Sequence, residues 1–335
     1  MLFTSEVATD LINKGITPGK TVSIDEFQEL VLREQLKRER AALKEARQIK
    51  KRGGKPIIIC DRGCLDGMGY TTKAAFHAIV KKLGLSVAKL RERYLIVIHL
   101  RTAAIGAESF YTLANNPARY ETTLEAARTQ DERTLEAWNG HHRLRVIPNE
   151  PGKSFKQKID RALKEIYVAL GIPKPLEIER AFDIELPRLS LLPPHAAIDI
   201  VQDYLLSPKN DPSVSHRIRK RTQDGWSVYV KTKKQKLSKR TRIETERHIS
   251  KKEYERLLKK RRDLRFRTIR KTRICFIWEH QYFELDIFHA PKRSLARLEI
   301  ELREEKQKIA LPPFLTVIRE TQESNRDIAL LKPHK

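Results

Sequence analysis

Residues 267–288 read RTIRKTRICFIWEHQYFELDIF, and in this run Lys271 and Arg273, then Glu284 and Asp286, stand two apart inside apolar stretches. Side chains along a strand alternate between faces, so each like-charged pair points to one side of its strand. The pattern recurs through the second half of the chain. The acidic pairs are Glu177/Glu179, Glu244/Glu246, Glu284/Asp286 and Glu299/Glu301, and the basic pairs are Arg217/Arg219, Lys231/Lys233 and Lys271/Arg273. Leu298, Ile300 and Leu302 flank the last acidic pair, Phe283, Leu285 and Ile287 the third, and Val228 and Val230 precede Lys231. A single such pair is the solvated face of an ordinary antiparallel sheet. Seven pairs of both signs predict an enclosed or cupped sheet with one greasy face and one charged face. Carboxylates on that face suit Mg²⁺ or Mn²⁺, and arginine forks suit phosphates.

The chain is long enough for about two domains at roughly 150 residues each. With 40% hydrophobic and 33% charged residues, the 335-residue chain is polar yet too apolar for wholesale disorder. No apolar run approaches the roughly 20 residues of a membrane span, and the start, MLFTSEVATD, has neither a basic nor an apolar leader region. Cys60, Cys64 and Cys275 cannot form a disulfide framework or complete a zinc site, which points to a reducing cytoplasm. The formal net charge is +25, and residues 217–273 hold 24 basic against 6 acidic residues. That excess implies a polyanionic partner, whether nucleic acid, anionic lipid or a small polyphosphate.

Residues 1–170 alternate helical and strand-like segments and read as α/β. Ser23 with Glu26 predicts a capping box opening a long helix through about residue 50, stopped at Gly53-Gly54. Ile57–Cys60 and Tyr94–Leu100 read as buried parallel strands, with Arg143–Pro148 a third. Ser154 predicts a cap for a helix with Phe155, Ile159, Leu163, Ile166 and Leu170 on one face, ended by Gly171. Residues 171–175, GIPKP, read as a short stiff linker. From 176 to 335 the texture is mainly β: LEIERAF, HRIRKR, WSVYVKTK, RIETERHI, RTIRKTRICFIW, YFELDIF and LARLEIEL. One helix interrupts it, capped by Ser250 with Glu253, and residues 231–242 form a lysine-rich hairpin candidate.

In that order these segments resemble the motif series of the CYTH, or triphosphate tunnel metalloenzyme, superfamily. Its series opens with E-x-E-x-K and continues through R-x-R, a lysine strand, E-x-E, K-x-R and an Asp strand to a final E-x-E. The resemblance spans the whole second half and implies a closed antiparallel β tunnel binding a triphosphate. It assigns metal to Glu177, Glu179, Glu299 and Glu301, and the phosphates to Arg217, Arg219, Lys231, Lys233, Lys271 and Arg273. Glu244, Glu246 and Asp286 would be supporting carboxylates. The lysine of the opening motif is Ala181 here, a departure that bears on hydrolysis more than on phosphate binding.

Residues 1–170 resemble the NadR-type P-loop ATPase domain found fused to a CYTH domain in the TRPL-translocation-defect family. The motifs are EVAT at Glu6–Thr9, Phe27-Gln28, the strand and DRG at Ile57–Gly63, and ARYETTLEAARTQDERT at Ala118–Thr134. Asp61 can face a metal or accept a proton, Arg62 can face a phosphate, and Arg119, Arg128 and Arg133 lie in a segment like a kinase lid. The phosphate-binding loop needs G-x-x-x-x-G-K-[ST] between a strand and a helix. Gly15-Ile-Thr-Pro-Gly19-Lys20-Thr21 is one residue short and follows a helical segment, so it reads as a decoy. The P-loop ATPase-like domain is thus incomplete, through a late start, a fragment or degeneration.

His141-His142 and His289 lack partners at metal-ligand spacing, and Cys64 lacks a base, so nucleophilic catalysis has no support. The expected function is binding of a triphosphate or nucleotide with Mg²⁺ or Mn²⁺, with hydrolysis by a triphosphatase or nucleoside triphosphate hydrolase left open. One alternative, implied by the fused-family resemblance, is a regulatory protein that binds GTP and acidic phospholipid headgroups, phosphatidic acid or phosphoinositide, without turnover, cytoplasmic or peripheral to membranes. Another is RNA or DNA binding through residues 217–273, against which the doubled acidic pairs weigh.

Overall fold

The computed structural model describes residues 1–112, 121–172, 178–207, 214–236, 242–302 and 307–331. Its contacts divide the chain into one unit of Met1–Tyr94, Arg101–Trp138 and Pro148–Lys153, and another of Leu95–Leu100, Asn139–Ile147 and Ser154–Lys335. Among the described residues, no helix is long and apolar enough to cross a membrane.

In the first unit, β1 (Leu2–Thr4) pairs in parallel with β2 (Ile58–Cys60), and α1 (Val7–Asn13) follows β1. Gly15–Thr21 therefore comes after a helix, without the strand that a phosphate-binding loop requires. The Ser23–Glu26 capping box opens α2 (Ile24–Lys51), which buries Phe27, Leu32 and Leu36. Its inward carboxylate, Glu39, is 4% exposed and accepts from Arg93 at 2.6 Å, Tyr94 at 2.6 Å and the Cys64 thiol at 3.3 Å. The helices α3 (Lys73–Lys82), α4 (Val87–Arg91) and α5 (Leu124–Ala137) complete this unit.

The second unit begins with β3 (Val97–Leu100) and β4 (Leu144–Ile147), a second parallel pair. Parallel pairing among the described residues thus comes as two separate two-stranded pairs. The cap at Ser154 opens α6 (Phe155–Ala169) as expected, but the helix buries Lys158, Ala162 and Glu165, leaving Phe155 and Leu163 exposed. The predicted apolar face is therefore not the buried one. Arg145 of β4 draws Glu165 inward at 3.2 Å and turns the helix accordingly.

The remaining strands form a nine-stranded sheet. They are β5 (Ile178–Ile184), β6 (His195–Leu205), β7 (Val214–Gln223), β8 (Trp226–Lys236), β9 (Arg242–Ile249), β10 (Ile269–Trp278), β11 (Gln281–Ala290), β12 (Ala296–Leu302) and β13 (Val317–Thr321). Helix α7 (Lys251–Arg261) follows β9, and α8 (Asn325–Ala329) follows β13. The order is β13-β5-β12-β11-β10-β6-β7-β8-β9, every pair antiparallel. Asp224 and Gly225, both at positive φ, turn β7 into β8, and Glu279 and His280 do the same between β10 and β11. Two consecutive left-handed residues match the twist of a tight hairpin, although Glu-His carries none of the usual turn signal.

One face of the sheet holds the main apolar core: Phe182, Ile184, Ile274, Phe276, Phe283, Leu285, Leu298 and Ile300, with Leu315 packed on it. Farther along the same face, α7 lays Tyr254 and Leu257 on Leu205, Ile218 and Ile249. On the other face, near the β5 end, Arg297 is 1% exposed and donates to Asp183 at 2.7 and 2.9 Å, with Arg319 reaching Asp183 at 3.1 Å. Asp183→Ala strands that buried guanidinium and should cost about 3–5 kcal/mol, whereas the double variant Asp183→Leu/Arg297→Met should lose less. Urea unfolding of the two variants checks this ordering.

Candidate functional site

Register, more than sequence spacing, sets which charges meet. Residues directly opposite across antiparallel strands share a face. Glu301 lies opposite Glu179 and Glu299 opposite Ala181; Glu284 lies opposite both Glu299 and Cys275, and Asp286 opposite Arg273. From β10 the same face passes through Lys271–Ile200, Gln202–Arg219, Tyr204–Arg217, Arg217–Thr232, Thr232–Glu246 and Lys234–Glu244. A single face thus carries the charged residues of β5, β12, β11 and β10 and those of β7, β8 and β9, with the less polar β6 between the groups.

The first group centres on Arg273, which donates to Glu284, to Asp286 at 2.6 and 2.7 Å and to Glu299 at 2.7 Å. Lys271 pairs with Asp286 as well. Asp286 is fully buried, which opposes its charge, but Arg273 and Lys271 prevail and hold it below the usual carboxylate range. Burial, and next the Asp286 charge, push Glu299 the other way, above that range. Carboxylates exceed cations here: Glu284, Asp286, Glu299, Glu301 and Glu179 stand against Lys271, Arg273 and Arg145. Arg145 enters from β4 and binds Glu301 at 2.7 Å.

The second group has the opposite balance, with Arg217, Arg219, Arg221 and Lys234 standing against Glu244 and Glu246. Glu244 binds Arg217 at 3.1 Å and Lys234 at 2.6 Å, and Glu246 binds Arg219. Burial and the neighbouring Arg217 pull Arg219 below its ordinary value. Burial opposes ionisation of Glu244 too, but Arg217, Lys234 and Arg219 together hold it well below the carboxylate range.

Each end of this face has a cover. At one end Tyr204, Ile269 and Phe288 pack with Phe266, Ile328 and Ala329 of the α8 region. At the other, the Gly140 N–H donates to the Tyr282 hydroxyl at 3.2 Å, and its carbonyl accepts from Arg221 at 3.0 Å. Gly140 therefore ties β7 to β11 across the two strands between them.

Of the expected site residues, this face brings together Glu179, Glu299, Glu301, Arg217, Arg219, Lys271, Arg273, Glu244, Glu246 and Asp286; Glu177 lies outside the described residues. Lys231 and Lys233 require correction. They sit opposite Arg247 and Thr245 in register and so point to the other side of the sheet, while Thr232 and Lys234 take the expected inward places. The run KTKK allowed either phase, and pairing with the β9 glutamates chose the second. Sequence reasoning also missed Arg221, Glu284 as an Arg273 partner in its own right, and Arg145, which no strand periodicity links to this sheet.

In the first unit, Asp61 and Arg62 follow β2 beside Glu6 and Asp66, with Arg62 at φ 73° binding Glu6 at 3.3 Å. Burial, then Glu6 and Asp66, push the Asp61 carboxyl up. Arg128 is held by the Ala104 carbonyl and Glu108, and Arg133 by the Thr71 carbonyl, so neither is bonded to Asp61. Arg119 lies outside the described residues. The Cys64 thiol is buried and pushed up by that burial and by Glu39, which removes it as a nucleophile.

The carboxylate group fits a hard divalent cation by donor chemistry and because its carboxylates outnumber the cations paired with them. Among the described residues no three acidic, His or Cys side chains already converge on one point, because Arg273 stands among them.

An AAA-domain family matches residues 1–158. A search of curated proteins returns no match. Among solved structures, two of one protein, described in one as an inorganic triphosphatase, are 27% and 26% identical with TM-scores of 0.34 and 0.33. Each covers 47% of this chain, and 99% and 97% of its own. A Hippeastrum protein described as an adenylyl cyclase with a dominant triphosphatase activity is 20% identical with TM-score 0.30, covering 38% of this chain and 80% of its own.

Opposite pKa displacements on one face give opposite pH dependences. Asp286 and Glu244, held low, stabilise the fold above the ordinary carboxylate range and lose that contribution in acid. Glu299, held high, costs stability as pH rises from that range through its raised value. Glu299→Gln should therefore melt above wild type at about pH 8 and close to it at about pH 4, as thermal scans at the two pH values would show.

Proposed function

We propose that the charged face binds a short linear polyphosphate, inorganic triphosphate or the triphosphate of a nucleotide, together with Mg²⁺ or Mn²⁺. The observation that supports this reading is the division of charge along one face. Cations are in excess on β7–β8, and carboxylates are in excess on β10–β12 and β5. A nucleic-acid groove would lack the acidic group, and a simple cation site would lack the arginines. The ordered resemblance of residues 176–335 to the triphosphate tunnel motifs points the same way.

In this reading Arg217, Arg219, Arg221 and Lys234 take the phosphate oxygens, and guanidinium forks suit their geometry. Glu299, Glu301, Glu179 and Glu284 hold the metal, with Arg273 left to orient Glu299 and Asp286. The bound cation would neutralise phosphate charge and draw electron density from phosphorus. Ala181 opposes Glu299 with neither a cation nor a base, so the reading is of a binding site, and phosphate release in the same samples reads out any turnover. Triphosphate exchange on this face must break existing ion pairs, and phosphate and metal together re-pair both signs at once.

Calorimetric titration with inorganic triphosphate, with and without Mn²⁺, tests the division of labour. Arg219→Ala should weaken binding in both conditions by about 10- to 100-fold, the equivalent of one charge-assisted hydrogen bond. Glu299→Gln should keep the metal-free affinity and lose the enhancement by Mn²⁺. If the two variants respond alike, the separation into a phosphate end and a metal end is wrong.

A further inference from the structure

The outward lysines of β8 belong to a second basic surface that the charged face does not use. In register, Lys231 stands opposite Arg247, so two cations face each other across neighbouring strands, and Lys233 stands opposite His216. Facing cations are destabilising when nothing neutralises them. Neither lysine makes an ion pair among the described residues, and Glu253, whose charge acts on Lys231, is bound by Arg247. Burial, then Arg247 and Arg261, pull Lys231 below its ordinary value, with Glu253 offsetting part of this; burial and the charges of Lys231, Lys233 and Arg261 do the same to His216.

Helix α7 extends the same surface. It spends Tyr254 and Leu257 on the sheet, and it leaves Lys251, Lys252, Arg256, Lys259 and Lys260 exposed. Arg261, at its C-terminal end, is anchored by its guanidinium on the Leu206 carbonyl at 2.9 Å, which places the basic last turn beside β6 and β7. With its apolar residues committed to the core, α7 has no greasy face to lay into a bilayer, as a membrane-surface helix needs. Leu264, exposed just beyond it, is a single apolar side chain of the kind any surface carries.

We propose that the outer face of β7–β9, together with α7, docks the phosphate backbone of a nucleic acid, on the side of the sheet opposite Arg217 and Arg219. Exposed Lys233 and half-buried Lys231 on the strand with the exposed cations of the helix, in the absence of an apolar wedge, suit a ligand recognised by charge along its length. The repulsion between Lys231 and Arg247 in the free protein is relieved in the bound one. This surface and the triphosphate face are independent, since they lie on opposite sides of the same strands.

The test uses the full chain and a fluorescent DNA or RNA duplex of about 20 base pairs, followed by anisotropy between about 50 and 200 mM salt. Wild type should bind with a steep salt dependence. Lys231→Gln/Lys233→Gln should weaken binding at least tenfold at the lower salt and flatten the log–log slope by about 1.8, two phosphate contacts at about 0.9 each. The same variant should melt at or above the wild-type temperature and bind inorganic triphosphate as wild type does. Lys259→Gln/Lys260→Gln gives a second reading on the helix should the strand variant fail to fold. An unchanged slope in both variants overturns the proposal, as does absence of duplex binding at 50 mM salt. Binding to phosphatidylserine vesicles without duplex binding overturns it too, in favour of a membrane.

Discussion

The Arg273 guanidinium, buried in the middle of a sheet, imposes the constraint from which the rest of the second unit follows. A buried charge is tolerated only when its hydrogen-bonding capacity is met and its charge is opposed. Meeting that demand takes Glu284 and Asp286 from one neighbouring strand and Glu299 from the strand beyond. Those contacts fix the register of β10, β11 and β12, and a one-residue slip would carry every one of these groups to the apolar face. The opposite face then has no choice but to be apolar, because the same registers send Ile274, Phe276, Phe283, Leu285, Leu298 and Ile300 there together.

Having satisfied its own arginine, the acidic group still holds more negative charge than Arg273, Lys271 and Arg145 cancel, and the basic group on β7–β8 is in surplus by a similar margin. Local pairing has been completed strand by strand without balancing charge along the sheet. A ligand with its own internal separation, a polyanion carrying a divalent cation, is the complement of such a surface. Neither half alone is, since phosphate without metal would leave the displaced carboxylates bare, and metal without phosphate would release guanidinium groups with no partner.

How much of this the sequence disclosed depends on whether the information is local. The doubled charges of β9, β10, β11 and β12 are visible because each strand alternates cleanly, with its apolar residues marking the opposite face. KTKK on β8 has lysine in both phases, and only the cross-strand fit of Thr232 to Glu246 and Lys234 to Glu244 selects one. Strand β6 puts Ile198, Ile200, Gln202 and Tyr204 on the charged face, so it announces no charge pair and is silent to that search. Arg145 is a tertiary contact from a strand 156 residues away from Glu301, and periodicity cannot register it. The apolar stripe of α6 shows the converse failure: a clear helical period whose buried side is set by an ion pair, not by its hydrophobic residues.

The two surfaces of β7 and β8 illustrate the cost of reading charge as composition. Residues 217–273 carry a single large basic excess, yet the fold splits it. Arg217, Arg219 and Lys234 go inward, where carboxylates hold them; Lys231 and Lys233 go outward, Lys231 opposite Arg247. Paired cations present little field to an approaching polyanion and must exchange partners before they can bind one, so geometry and metal govern their selectivity. Unpaired cations at the surface attract any phosphate backbone and are screened by salt. A net charge of +25 therefore describes neither surface, and alternation along two strands divides it between a carboxylate-paired inner face and an outer one.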